Sequence, residues 1–150
     1  MLVFDRSACV LKINPAFADL LEFELNKARL ERGFTESSVN DLEDPFAGGV
    51  IFNFTDPTYS FEFGGYQPVV ICINPSGELQ YVTEFSYVES PPHIELVKAL
   101  DFDFENRCFG PIGNNYLPYE GDDLFSIFQE NFITCYQSGV FTIEVRELIS

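Results

Sequence analysis

The chain contains no tryptophan, one histidine and only 8 lysine and arginine residues in 150. Each scarcity removes a class of function. Any Ser-His or Cys-His nucleophilic site would have to use His93, which follows Pro91-Pro92 in loop-like sequence with no Gly-x-Ser-x-Gly turn to supply a matched serine. We read His93 as a surface histidine. Against the 8 basic residues stand 24 acidic ones, for a formal charge of −16. That field repels phosphate backbones and anionic lipid, so neither direct nucleic-acid binding nor membrane binding is expected. Apolar runs never approach the roughly 20 residues of a bilayer span. Asp5, Arg6 and Lys12 interrupt the opening stretch where an export signal would be continuous, which makes the cytoplasm the expected location.

Motifs are equally sparse. Gly48-Gly49 and Gly64-Gly65 lack the spacing of a phosphate-cradling or dinucleotide loop. Cys9, Cys72, Cys108 and Cys135 form no C-x-x-C pair, and without an export signal they should remain reduced thiols. No cofactor and no metal site is expected. Cys72 lies in the run Val69–Ile73 and Cys135 on an apolar helical stripe, where a thiol behaves as a small hydrophobe.

What is abundant is phenylalanine, 17 residues of it, in a chain that is 46% hydrophobic. A chain of this length matches one domain, residues 1–150, and can bury about 70% of its extended surface around one phenylalanine-rich core. Asn14-Pro15 supplies an N-cap and a first-turn proline, and Phe17, Leu21, Leu25 and Ala28 recur at helical spacing, predicting a helix from about Pro15 to Arg32 stopped by Gly33. Thr35 to Gly49 reads as an acidic surface loop. The period then changes to two over Val50–Thr55. Val69–Ile73 should pair antiparallel with Leu79–Val88 through the turn Asn74-Pro75-Ser76-Gly77, placing Leu79, Tyr81, Thr83, Phe85 and Tyr87 on one face. Ile94 to Leu100 is open between strand and helix, and Phe109 to Tyr119 reads as a turn-rich loop. Asp122 or Asp123 can cap a second helix carrying Leu124, Phe128, Phe132 and Cys135 on one stripe, ended by Gly139, with a strand over Val140–Val145. The order predicts an α+β fold: a mainly antiparallel sheet of about five to six strands, covered by an N-terminal and a C-terminal helix, with a final C-terminal strand.

Phe52-Asn53-Phe54-Thr55-Asp56-Pro57-Thr58-Tyr59-Ser60, followed by Gly64-Gly65-Tyr66-Gln67-Pro68-Val69, resembles the core signature of a small bacterial family known as domain of unknown function 2787. Tyr81–Tyr87, Asp101–Phe104 and Leu124–Val145 are similar to its remaining segments, so the likeness spans roughly Val50 to Val145. It implies a compact bacterial domain and carries over no activity, cofactor or catalytic residue.

Two constellations remain. Asp101, Asp103 and Glu105 alternate with Phe102 and Phe104, which puts the three carboxylates on one face about 7 Å apart. They read either as the wet side of a strand or as a carboxylate-based enzyme site, in the sharpest form a divalent-metal-dependent hydrolase, with Glu120, Asp122 and Asp123 nearby in sequence. Lys98 and Arg107 are the only cations close in sequence to bind a phosphate, which weakens a nuclease reading. The second constellation is the pair of aromatic turn-rich segments Asp56–Tyr66 and Phe109–Tyr119. The candidate binding residues are therefore Asp56, Tyr59, Tyr66, Asp101, Asp103, Tyr116 and Tyr119. The missing catalytic motifs, the acid excess and the aromatic loops together favour a non-catalytic binding or interaction module, for which a basic protein is the partner that fits the charge.

Overall fold

The computed structural model describes residues 1–35, 44–90, 93–112 and 118–148, the side chains of residues 90, 118 and 119 excepted. The first helix, α1 (Pro15–Glu31), starts as the sequence predicts: the Asn14 side chain accepts from the Ala16 amide at 2.9 Å, with proline next in line. Phe17, Leu21, Leu25 and Ala28 are all buried. Beyond Gly33 the Phe34 amide returns to the Arg29 carbonyl, closing the last turn.

Five strands follow as an antiparallel meander: β1 (Val50–Thr55), β2 (Val69–Ile73), β3 (Leu79–Ser90), β4 (His93–Asp103) and β5 (Cys108–Pro111). Helix α2 (Pro118–Gln137) then carries the chain back so that β6 (Thr142–Glu147) pairs antiparallel with β1. The spatial order is β5-β4-β3-β2-β1-β6. This is the predicted α+β architecture, with six strands.

One open segment is assigned and three local expectations need correction. Ile94–Leu100 is strand, part of β4, because it pairs along the whole outer half of β3. Phe109–Pro111, expected as loop, pairs with Leu100–Phe102 as part of β5. Helix α2 begins at Pro118, whose fixed φ suits a first helical turn, so Asp122 and Asp123 lie inside the helix and cap nothing. Asp122 instead accepts the Lys12 amide at 2.7 Å. Finally, Leu79 is buried in the core with Val82 and does not share the face of Tyr81 and Thr83, since the β2–β3 register shifts between Cys72 and Ile73 and returns Leu79 to the partner of Ile73. Residues 36–43 and Pro91-Pro92 lie outside the described residues.

Both helices pack on one sheet face. Phe125, Phe128 and Phe132 of α2 are buried, as are Phe52, Phe54 and Phe102 of the sheet and Phe17 of α1. Ring centroids lie 4.8 Å apart for Phe102–Phe125, 4.9 Å for Phe54–Phe132 and 5.6 Å for Phe17–Phe132. Polar staples hold the helices in place. Buried Gln129 accepts the Asn14 amide at 2.7 Å and donates to the Lys12 carbonyl at 3.1 Å, and the Tyr136 hydroxyl donates to Glu24 at 2.7 Å.

The end of the expected acidic loop is not surface. Phe46 is fully buried, and the Asp44 side chain has no exposure beside Arg29, at 3.0 Å. Asp44 also accepts the amides of Leu2 at 2.7 Å and Phe46 at 3.0 Å, so one carboxylate ties the N-terminal segment, α1 and the approach to β1 together. Burial acts to raise its pKa, but the hydrogen bonds from Arg29, Phe46 and Leu2 win and hold it below the usual 3.8. The stabilisation is therefore complete above that value and is lost as pH falls through the lower folded one. Asp44→Ala, which leaves Arg29 buried and unpaired, should cost about 3–5 kcal/mol by denaturant unfolding at neutral pH. The cost should shrink as the wild-type carboxyl becomes protonated in acid, and a neutral-pH cost below about 1 kcal/mol would contradict this assignment.

Candidate functional site

On the helix-covered face, the register Val69–Glu84–Leu100 forms a row across β2, β3 and β4. That row floors a groove of about 580 Å³. Leu124, Ile127, Phe128, Asn131, Phe132 and Cys135 of α2 make one wall, and Tyr59, Gly64, Gly65, Tyr66 and Gln67 make the other. Phe141 also lines it.

The loop wall is shaped by Asp56. Its carboxylate accepts the Thr58 amide at 2.9 Å, the Thr58 hydroxyl at 2.7 Å and the Tyr66 amide at 3.0 Å. These bonds, the Thr58 hydroxyl first, hold its pKa below the usual 3.8. A Cβ on Gly65 (φ +121) would lie 2.9 Å from the Tyr59 Cα and 3.0 Å from an Asp56 oxygen, so this close crossing requires glycine. Ser60 and Gly64 exchange backbone bonds of 2.9 Å, leaving Phe61 and Phe63 at an exposed tip, Phe63 at 84%. The Tyr59 ring stacks on Tyr87 at 5.0 Å, and its hydroxyl accepts the Tyr87 amide at 3.3 Å, tying the loop to β3.

Among the described residues Glu84 is the only charged one lining the groove. Among the described residues its carboxylate makes no hydrogen bond, and burial alone raises its pKa above the usual 4.5. The Cys135 thiol on the facing helix is raised too, by burial first and then by Glu84, so it stays a protonated thiol.

The sequence candidates are divided by this geometry. Tyr59 and Tyr66 converge on the groove, and Asp56 builds its wall. Asp101 and Asp103, with Glu105, line a smaller hollow of about 200 Å³ on the opposite, helix-free face, beside Val70, Tyr81, Thr83 and Phe85. There Asp101 accepts the Thr83 hydroxyl at 2.6 Å, Asp103 accepts Asn106 at 2.8 Å and Glu105 accepts Gln80 at 3.0 Å. Among the described residues no three of His, Cys, Asp and Glu gather as a group able to hold a metal ion. Tyr116 and the Tyr119 side chain lie outside the described residues. His93 is exposed at the start of β4. Sequence reading missed Glu84; the available signal was its phase, since it alternates with core Val82 on the same strand face.

Fold and site together define an acidic α+β domain with a helix-walled apolar groove on one sheet face. The chain belongs to the family described as "Protein of unknown function (DUF2787)", whose model matches residues 15–146 and so includes α1, beyond the span legible from the signature residues. No curated protein matches the chain significantly. Among solved structures it resembles the hypothetical protein VC0508 from the Vibrio cholerae VSP-II pathogenicity island, at 24% identity and TM-score 0.71, over 95% of this chain and 98% of that one. It also resembles the conserved hypothetical protein VC1805 from Vibrio cholerae pathogenicity island VPI-2, at 26% identity and TM-score 0.69, over 95% and 99% of the two chains. VC1805 is described as sharing structural homology with the human P32 protein. No helix among the described residues is long and apolar enough to cross a membrane.

With its folded pKa raised, Glu84 costs nothing below 4.5 and opposes folding increasingly as pH rises through the folded value. Glu84→Gln should therefore melt about 1–3 °C above wild type at neutral pH, with the gain disappearing below pH 4.5. A variant less stable than wild type at neutral pH, measured by thermal unfolding, would show that the carboxylate is satisfied in the folded protein.

Proposed function

We propose that this chain is a non-catalytic interaction module of the bacterial cytoplasm, acting as a single domain, that takes a segment of another protein into the groove between α2 and the loop 56–67. One observation carries the reading: an apolar groove of about 580 Å³ with few polar groups, rimmed by side chains that the fold leaves in water. Ile127 is 56% exposed and Tyr66 43% exposed on that rim, with Phe61 and Phe63 beside it on the same loop. Exposed aromatic and aliphatic side chains around a concavity are what a partner's anchor residues need.

The chemistry inside favours recognition over turnover. Among the described lining residues Glu84 has no second carboxylate, histidine or cation beside it, and the thiol in the lining, Cys135, is held neutral. The −16 charge favours a basic protein partner over a nucleic acid. In this reading Tyr59 and Tyr66 touch the partner, Asp56 holds their loop in shape, and Asp101 and Asp103 face solvent on the other side of the sheet.

Affinity capture with purified protein tests it. Ile127→Asp, at the exposed groove rim, should reduce capture of the partner by about tenfold or more. Thr142→Asp adds the same charge at an exposed position of β6 and should leave capture unchanged. Equal capture by wild type and Ile127→Asp, with both folded by thermal melting, would remove the groove from the interaction.

A further inference from the structure

Resting on that reading, we infer that the groove selects a cationic side chain, arginine or lysine, carried on an apolar stretch of the partner, and that Glu84 is the group that receives it. Glu84 sits mid-floor, its β3 position in register with Val69 on one side and Leu100 on the other. Every other described lining residue is neutral, and no hydrogen bond from the described residues reaches its carboxylate. A half-buried carboxylate without a counter-charge is stabilised when one arrives.

The surroundings fit a cation and reject an anion. Among the described residues no lysine, arginine or histidine lines the groove. The ring of Tyr59, held by its stack on Tyr87, and that of Tyr66 offer faces to a guanidinium or ammonium group. Gln67 and Asn131 supply neutral acceptors for donors that Glu84 leaves unused. The titratable groups facing Glu84 are Cys135 from α2 and the two tyrosines from the loop, none of which carries positive charge. Burial without a partner also holds Glu84 above the usual carboxylate range, the state that a bound cation would reverse.

The size points to a peptide segment. A volume of about 580 Å³ exceeds what one basic side chain fills, and Phe61, Phe63 and Ile127 extend the apolar surface past the groove mouth, where flanking residues of a chain would lie. The acid excess of the whole molecule raises the encounter rate with a basic partner, while Glu84 acts only once the cation is seated.

The experiment is an NMR titration of the full chain with two peptides, acetyl-Leu-Arg-Phe-amide and the same peptide with neutral citrulline in place of arginine, on wild type and Glu84→Gln. The arginine peptide should shift amides of residues 84 and 127–135, and should bind wild type about tenfold more tightly than the citrulline peptide. In Glu84→Gln, whose spectrum should show an intact fold, the two peptides should bind alike. Equal binding of both peptides to the wild-type groove would overturn the cation selection and leave the groove as a binding site. An arginine preference that persists in Glu84→Gln would overturn the assignment of Glu84. Shifts outside the groove, or none with either peptide, would also overturn the inference, and joined to capture unaffected by Ile127→Asp they would remove the binding reading as well.

Discussion

The packing of α2's phenylalanine stripe against the sheet is the constraint on which the remainder of the molecule depends. Phe125, Phe128 and Phe132 meet Phe102, Phe54 and Phe17 edge-on or tilted, with centroids from 4.8 to 6.5 Å apart. Each such ring contributes about 1.5–3 kcal/mol on burial, and each well-oriented pair adds about 0.5–1.5 kcal/mol. Those sums far exceed the cost of one half-buried carboxylate, so the fold tolerates Glu84 where it stands. The same stripe sets the groove, because Phe128 and Phe132 pack inward while Leu124, Ile127 and Cys135 of the same helix reach the adjoining space.

The two sheet faces divide labour. One carries the two helices and, beside α2, the groove; the other carries Asp101, Asp103 and Glu105, each bonded to a neighbouring polar side chain. Those carboxylates share a face, as strand alternation requires, and their hydrogen bonds are those of a polar sheet surface. The groove carboxylate is the opposite case: it is partly desolvated and has no bonding partner among the described residues. Solvated acids are cheap to keep on a surface, whereas a partly desolvated one without a partner marks a candidate binding position.

Much of the fold was legible because it rests on local rules. The Asn14 cap and Pro15 start α1, and alternation marks β1. The Asn74–Gly77 turn closes its hairpin with a Gly77 amide to Asn74 carbonyl bond of 2.9 Å. Where reading failed, the cause was long-range. The bulge opposite Ile73 that re-phases Leu79 depends on pairing, and the burial of Asp44 and Phe46 depends on Arg29 and the N-terminal segment arriving from elsewhere. Phe109–Tyr119 is rich in glycine, proline and asparagine, yet its first residues gain strand geometry by pairing with β4. The candidate site divides in the same way: Tyr59 and Tyr66 stood out as aromatics in a turn-rich loop, while Glu84 is an ordinary residue until α2 and that loop close over it.

The measurement that bears most directly on this account is a carbon-13 titration of the Glu84 side-chain carboxyl, first in the free protein and then with the arginine peptide bound. A midpoint above 4.5 that falls when the peptide binds is the predicted result. A midpoint at or below 4.5 in the free protein, unmoved by the peptide, would contradict it, since the carboxylate would then be already solvated or paired.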